Sequence, residues 1–388
     1  MIVTPERDQT TLASLVRCDS YELDVVRRAL DDLMHPLGGL GAFVAPSDRV
    51  LVKPNFLLAA KPERAVTTHP ALVLAVVDAL RDLGVKDIVV ADSPATQSAR
   101  HVARRLGLLE ALETRDVAVL DLNDSIVVRN PEDSVFQRLE LSQAVLDADR
   151  VINLPKVKSH AQMSMTLAVK NCFGAVVGMR KAAWHMEAGR DAAFFARMVA
   201  EICRQVAPVL SIADGIVAME GNGPGAGDPR ELGILAAAPD PGVLDQLLCE
   251  IVGFPPGDLP SLRAWWASGG EAVEDWSACL AGPALRDVAI TNFRFARPLE
   301  VGGLPGPLQP LQRVIRRLVE VRPHVQTAAC SGCGACAKHC PANAIEMRRE
   351  GTLATISPKT CIHCFVCQEI CPEGAIDVRR GLVRRFLS

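Results

Sequence analysis

The chain has 388 residues, a formal net charge of −3, 49% hydrophobic and 4% aromatic residues; this excludes a disordered or collagen-like polymer and leaves room for two or three folded domains. The opening MIVTPERDQT is polar, and no run approaches the roughly 18 apolar residues of a membrane span. We therefore expect a cytoplasmic protein with no membrane span.

Strand-like runs and helical periodicities alternate through the first part of the chain. RVLVKPNF (49–56) reads as a strand, HPALVLAVVDALRDLG (69–84) as a helix, DIVVADSP (87–94) as a strand and 99–109 as a helix. The continuous apolar runs VLV, IVV and VAVLDL suit parallel strands buried on both faces. VINLP (151–155) follows as a strand, then helices over 164–177 and 194–207. VLSIADGIVAM (209–219), GILAAA (233–238) and the helix PGVLDQLLCEIVG (241–253) complete the series. The expected class is α/β, a mostly parallel sheet or sheets with flanking helices, over residues 1–297. A Pro/Gly-rich linker and short helix follow at 298–325, then a small α+β domain at 326–380 and a basic tail at 381–388.

Polar residues interrupt the apolar strands where a parallel sheet places its ligands, at the carboxyl ends. LVKPNF puts Lys53 and Asn55 at one strand end. NLPKVKSH puts Lys156, Lys158 and His160 at i, i+2 and i+4, a spacing that points all three to one side of an extended segment. Cations so placed repel one another unless an anion joins them, which points to a carboxylate or phosphate ligand; a solvated face is the bland alternative. LAVKNCFGAVVGMRKAAWH adds Lys170, Asn171, Lys181 and His185, and Lys170 stands in an otherwise apolar stretch where a structural lysine is uncommon. His160, Lys158 and Lys170 are the candidate catalytic groups; Lys53, Asn55, Lys156, Asn171 and His185 are the candidate substrate contacts. Asp92 and Asp214 end apolar strands and either orient a lysine or cap a turn. The glycines of EGNGPGAGDP fit an anion-binding loop and a plain turn equally well, and match no nucleotide fingerprint.

Of the 13 cysteines, five are scattered and eight fall in two matching runs. These are Cys330-x2-Cys333-x2-Cys336-x3-Cys340-Pro341 and Cys361-x2-Cys364-x2-Cys367-x3-Cys371-Pro372, continuing as CPANAI and CPEGAI. Thiolates at this spacing converge on an iron–sulfur cubane, and in this motif the fourth cysteine crosses to the other cluster. The expected cofactors are two 4Fe-4S clusters: Cys330, Cys333, Cys336 and Cys371 hold cluster I, and Cys361, Cys364, Cys367 and Cys340 hold cluster II. A pair of zinc sites is the disfavoured alternative. His339 and His363, inside the runs, are not needed as ligands and read as surface residues or supports beside them. From Leu311 to Ser388 the chain has 12 Lys/Arg against 6 Asp/Glu, and the remainder has 30 against 39. Each oxidised cluster with its thiolates carries about −2, which would offset most of this excess, so a self-compensating face is the expectation over nucleic-acid or membrane attachment.

The tail closely resembles bacterial-type two-cluster ferredoxins, with all eight ligand positions present. The phrases LVKPNF, TTHP, ADSPA, NLPKVKSH, LAVKNCFG, RKAAWH and DGIVAMEGNGPGAGDP, in this order, resemble domain-of-unknown-function family 362 over residues 12–300. That resemblance implies a fold distantly similar to the nickel-pincer lactate racemases and supplies site candidates more than a reaction. Three functions follow as expectations. The first is a ferredoxin-coupled reductase acting on a small anionic substrate with an external electron donor or acceptor protein. The second is an electron carrier without its own substrate, and the third a cofactor-maturation or binding protein. Whether the chain is an enzyme, and whether it forms a homo-oligomer, is open at this level.

Overall fold

The apolar runs become neighbouring strands of one sheet in the computed structural model, which describes residues 11–94, 97–130, 134, 136–178, 180–181, 184, 188, 191–296, 322–347 and 353–379. In chain order the strands of the first part are β1 (Ala13–Arg17), β2 (Arg49–Pro54), β3 (Asp87–Asp92), β4 (Ala118–Asp121), β5 (Ser125–Arg129), β6 (Arg138–Ser142), β7 (Arg150–Leu154), β8 (Lys156–His160), β9 (Ser164–Thr166), β10 (Leu210–Glu220), β11 (Asp228–Ala238) and β12 (Leu280–Ala281). The main sheet runs β12-β1-β11-β10-β7-β2-β3-β4, with β8 paired to β10 and β9. Neighbours from β10 to β4 are parallel; β1–β11 and β10–β11 are antiparallel. The mostly parallel α/β sheet is as the apolar runs indicate.

Both faces of the central strands are covered, which is why their sequences do not alternate with polar residues. Val50 and Val52 of β2 and Val90 of β3 point into one core, shared with the helices Leu23–Met34, Pro70–Asp82 and Ala99–Arg105. Leu51, Val89 and Ala91 point into the opposite core, against the helix Ala192–Val206. Helix starts carry their caps: Pro70 follows His69, whose Nδ1 accepts the Ala71 N–H, and Pro241 follows Asp240, whose carboxylate accepts the Gly242 and Val243 N–H groups.

One expected element fails. In place of a helix over 164–177, β9 turns back antiparallel on β8, and only Ala168–Asn171 is α-helical, followed by a 3-10 turn at Cys172–Ala175. Ser164 adopts φ 62, outside the helical region, so the helix cannot start there. The expected linker at 298–325 and basic tail at 381–388 lie almost wholly outside the described residues.

The cysteine-rich part forms two antiparallel ladders, β13 (Arg322–Val325) with β16 (Ile376–Arg379) and β14 (Ile345–Met347) with β15 (Ala354–Ile356). Its short helices Ala335–Lys338 and Val366–Glu369 each carry one cysteine, Cys336 and Cys367. The repeat seen in sequence is also a repeat of contacts: the Ala344 N–H donates to Cys340 Sγ and the Ala375 N–H to Cys371 Sγ, each at 3.2 Å.

Candidate functional site

Two buried ion pairs support the carboxyl ends of the central strands. Lys53, at the end of β2, donates to Asp92 Oδ1 at 2.8 Å, and Asp92 Oδ2 accepts the Phe56 N–H at 2.7 Å. Lys156 donates to Asp214 Oδ2 and to the Tyr21 hydroxyl, both at 2.9 Å; Asp214 also accepts the Tyr21 O–H at 2.7 Å and the His69 N–H at 2.8 Å. All four charged groups are buried, so each lysine is tolerable only because its carboxylate is complete. The turn after Asn171 packs directly on the first pair: a Cβ at Gly174 would overlap both Lys53 Nζ and Asp92 Oδ1.

Above these pairs lies a cavity, partly open to solvent, lined by Asn55, Lys158, His160, Lys170 and Asn171 together with Asp92, Ser93, Thr166 and Lys181. Phe56, Leu57 and Phe173 supply apolar wall. Its far side is not built by the sheet at all: His339, Val366 and Glu369 come from the cysteine-rich part.

A chain of hydrogen bonds fixes the polar floor. Lys158 Nζ donates to Asn55 Oδ1 and to Val66 O, both at 2.7 Å. Asn55 Nδ2 donates to Asn171 Oδ1 at 2.7 Å, Asn171 Nδ2 to Asn153 Oδ1 at 2.8 Å, and Asn153 Nδ2 to Ser211 Oγ and Ala168 O, both at 3.1 Å. Buried Asp245 accepts the Ala168 and Val169 N–H groups and so anchors the short helix that carries Lys170 and Asn171. Thr68 accepts the Asn55 N–H and donates to Leu154 O, tying two strand ends together.

Burial sets the protonation chemistry. It pushes the Lys158 ammonium down to about 7, helped by the nearby Lys170 charge, and it lowers Lys170 as well. Lys170 Nζ makes no hydrogen bond or ion pair among the described residues and lies 5.8 Å over the Phe173 ring. Burial against the end of β3 brings half-buried Lys181 down to about 8; it donates to Ser93 O. The His160 imidazole is pushed down to about 4, chiefly by burial and then by Lys170, so near neutral pH it is uncharged. Its Nδ1 accepts the Gln162 and Met163 N–H groups at 3.1 and 3.2 Å, which places its proton on Nε2. Nε2 faces Glu369 Oε1 across 2.9 Å.

Of the residues singled out from sequence, Asn55, Lys158, His160, Lys170 and Asn171 line the cavity. Lys53 lies behind its wall and Lys156 points away to Asp214. Of the three residues expected on one side of 156–160, Lys158 and His160 share the cavity, while Lys156 sits opposite Asp214 in the register and pairs with it. His185 lies outside the described residues. Asp92 and Asp214 are lysine partners. The glycine loop meets the cysteine-rich part: Gly223 packs so tightly that a Cβ would overlap the Ser159 carbonyl, and Asn222 accepts from Gln368 Nε2. Phe365 packs on Ala161 beside it. Glu369 and His339 went unrecognised, since only tertiary docking brings them to the cavity.

The eight thiols surround two further cavities. Cys330, Cys333, Cys336 and Cys371 line one, and Cys340, Cys361, Cys364 and Cys367 the other. Among the described residues no three His, Cys, Asp or Glu side chains converge on a point as the ligands of a single ion do. Four thiols spaced around a cavity, with N–H groups directed at Cys340, Cys361 and Cys371, suit a cubane with one iron per sulfur. Burial pushes the Cys364 thiol up to about 12, so iron is needed to hold it as thiolate.

A family model described as "Domain of unknown function (DUF362)" matches residues 50–250, and one described as "4Fe-4S dicluster domain" matches residues 329–375. The thylakoid-associated protein sll1697 of Synechocystis sp. is 47% identical over 251 residues, covering 65% of this chain and 77% of that protein. Among solved structures, the lactate racemase apoprotein of Thermoanaerobacterium thermosaccharolyticum aligns at TM-score 0.38 with 14% identity, over 54% of this chain and 51% of that one. A protein of Thermotoga maritima aligns at 0.35 with 11% identity, over 53% and 52%. The chain thus spans about half the length of each of these two structures. Among the described residues no helix is long and apolar enough to cross a membrane.

Proposed function

This chain belongs to the DUF362 family and carries a 4Fe-4S dicluster domain, and from that premise we propose that it is a ferredoxin-coupled reductase acting on a small anionic substrate. One observation carries the reading: the cavity holding Lys158, His160 and Lys170 is closed by His339, Val366 and Glu369, which sit within two residues of Cys340 and Cys367. Bound in the two thiol-lined cavities, two 4Fe-4S clusters would supply electrons one at a time, the second of them immediately behind the cavity wall.

The chain's own residues supply the rest. Lys170, without an ion pair among the described residues, offers its charge to an anion, and Asn55 and Asn171, locked by their mutual hydrogen bond, present fixed amides. His160, neutral with its proton on Nε2, is a proton donor whose orientation is set by two backbone N–H groups. Lys158, near 7, gives or takes a proton at neutral pH. An external electron donor protein would meet the other thiol-lined cavity, where Cys333 is exposed.

The test is anaerobic. Fully reduced protein is mixed with a panel of small anions, and cluster reoxidation is followed by absorbance. The expected result is fast reoxidation by one chemical class, lost in Lys170→Met and His160→Ala with iron content unchanged. Reoxidation that no anion accelerates would favour the electron-carrier reading, which the dicluster domain supports without any use for the cavity. Eight cluster thiols suit a reducing, cytoplasmic compartment. The printed name of the Synechocystis relative adds a membrane surface as an alternative address, and cell fractionation separates the two.

A further inference from the structure

The cavity carries more positive charge than its own carboxylates match, and this deepens the reductase reading, on which it rests, into a substrate class. Lys53 and Asp92 cancel each other. Of the remaining ionisable groups on the lining among the described residues, Lys158, Lys170 and Lys181 face Glu369 alone, and His160 is uncharged near neutral pH. With all three ammonium groups charged, these described residues would leave an excess of two positive charges in a largely buried space, where a missing counter-charge is costly. The depressed ammonium groups report the same deficit.

Two of the lysines are anchored at different strand ends, Lys158 beyond β2 and Lys181 beyond β3. Lys158 has committed two N–H groups to Asn55 and Val66, Lys181 one to Ser93, and Lys170 none. They arise from three separate elements: β8, the short helix Ala168–Asn171 and the segment after Gly178. Apolar side chains, Phe56 and Phe173 among them, also line the cavity. A single compact anion would need these donors gathered at one point. We propose that the cavity takes a small dicarboxylate, with one carboxylate at Lys158 and Lys170, the other at Lys181, and an apolar carbon body against the aromatic wall.

The experiment is titration calorimetry on the oxidised, cluster-loaded full chain at pH 8, using malonate, succinate, glutarate and adipate, each beside the monocarboxylate of equal carbon number, with inorganic phosphate as a compact dianion. At least one dicarboxylate should bind about tenfold or more tighter than its monocarboxylate. Binding should take up protons, seen as heats that vary with the buffer's ionisation enthalpy, because the second charge restores lysines that burial has partly discharged. Lys170→Met and Lys181→Met should each erase the preference while retaining iron content and thermal unfolding. Equal affinity within every pair, or no binding, would overturn the dicarboxylate and assign the excess charge to the neighbouring cluster. Phosphate binding as tight as the best dicarboxylate would overturn it in favour of one compact pole. Because the oxidised protein transfers no electrons, the two readings fail separately. Reoxidation by a monoanion without dicarboxylate preference sinks only this inference; tight dicarboxylate binding without reoxidation sinks only the reductase.

Discussion

Replacing Lys156 and replacing Lys170 with methionine should move stability in opposite directions, although both are buried lysines of neighbouring segments. Lys156→Met leaves the Asp214 carboxylate buried with only neutral donors, Tyr21 O–H and His69 N–H, in place of a cation at 2.9 Å. Breaking one side of such a pair costs about 3–5 kcal/mol. At about 2–4 °C per kcal/mol for domains of 150–250 residues, the thermal midpoint should fall by roughly 10 °C. Among the described residues Lys170 has no carboxylate within ion-pair distance and gains only its place over Phe173, about 0.5–2 kcal/mol for a cation–π contact. Methionine there removes a charge that burial disfavours and retains the apolar stem. Stability should hold or rise by about 1–4 kcal/mol, the range seen when buried charge gives way to apolar packing. Differential scanning calorimetry of the anion-free protein under anaerobic conditions reads both. A Lys170→Met protein that loses as much stability as Lys156→Met would show that Lys170 is structural and has an internal counter-charge, refuting the reasoning from which the anion site follows.

Reconstituted protein should hold about eight irons and eight sulfides, and Cys340→Ser should damage the cluster of Cys361, Cys364 and Cys367; loss confined to the cluster of Cys330, Cys333 and Cys336 would reverse the connectivity. Substrate-dependent reoxidation should decline as pH rises through about 7, because Lys158, whose ammonium burial has lowered, is charged below that point and neutral above it; a rate flat from pH 6 to 8.5 would remove Lys158 from the chemistry. Gly223→Ala should slow reoxidation with iron content intact, since its Cβ would strike the Ser159 carbonyl and push away the loop that holds Gln368; an unchanged rate would mean that loop does not set the docking. Deleting residues 311–388 should leave a first part that still unfolds cooperatively, its three large apolar cores being formed without the cysteine-rich part; a non-cooperative melt would show the two parts share a core.

The sheet was legible because burial on both faces writes continuous apolar runs, and the polar residues that end β2 and β3 stand out against them. The 164–177 segment was misread for the same reason. Its apolar residues serve two cores, Met165 and Leu167 in one and Val169 and Cys172 in another, which in sequence resembles one helix buried all round. Lys53 and Lys156 drew attention as unmatched cations, yet their partners Asp92 and Asp214 lie 39 and 58 residues further on. Charge matching across that distance is a property of the fold, not of any local pattern. Lys158 and Lys170 share the same sequence signal and keep it in three dimensions. Glu369 and His339 carry no signal beyond standing next to cluster cysteines.

The geometry of the junction separates the two things a reduction needs. His160 receives its orientation from Gln162 and Met163, on the sheet side, and offers its Nε2 proton into the cavity. The wall opposite belongs to the cysteine-rich part, where Val366 and Glu369 flank Cys367 on one short helix. Protons and electrons on this reading reach a bound anion from different parts of the chain. Glu369 joins them, since it faces His160 from the helix that holds Cys367. Glu369→Gln keeps the shape and removes the charge, so it should weaken the grip of the two parts on each other and lower the reoxidation rate together. A Glu369→Gln protein with unchanged docking and a slower rate would place the carboxylate in the chemistry; unchanged docking and rate would leave it a bystander and detach the two routes from each other.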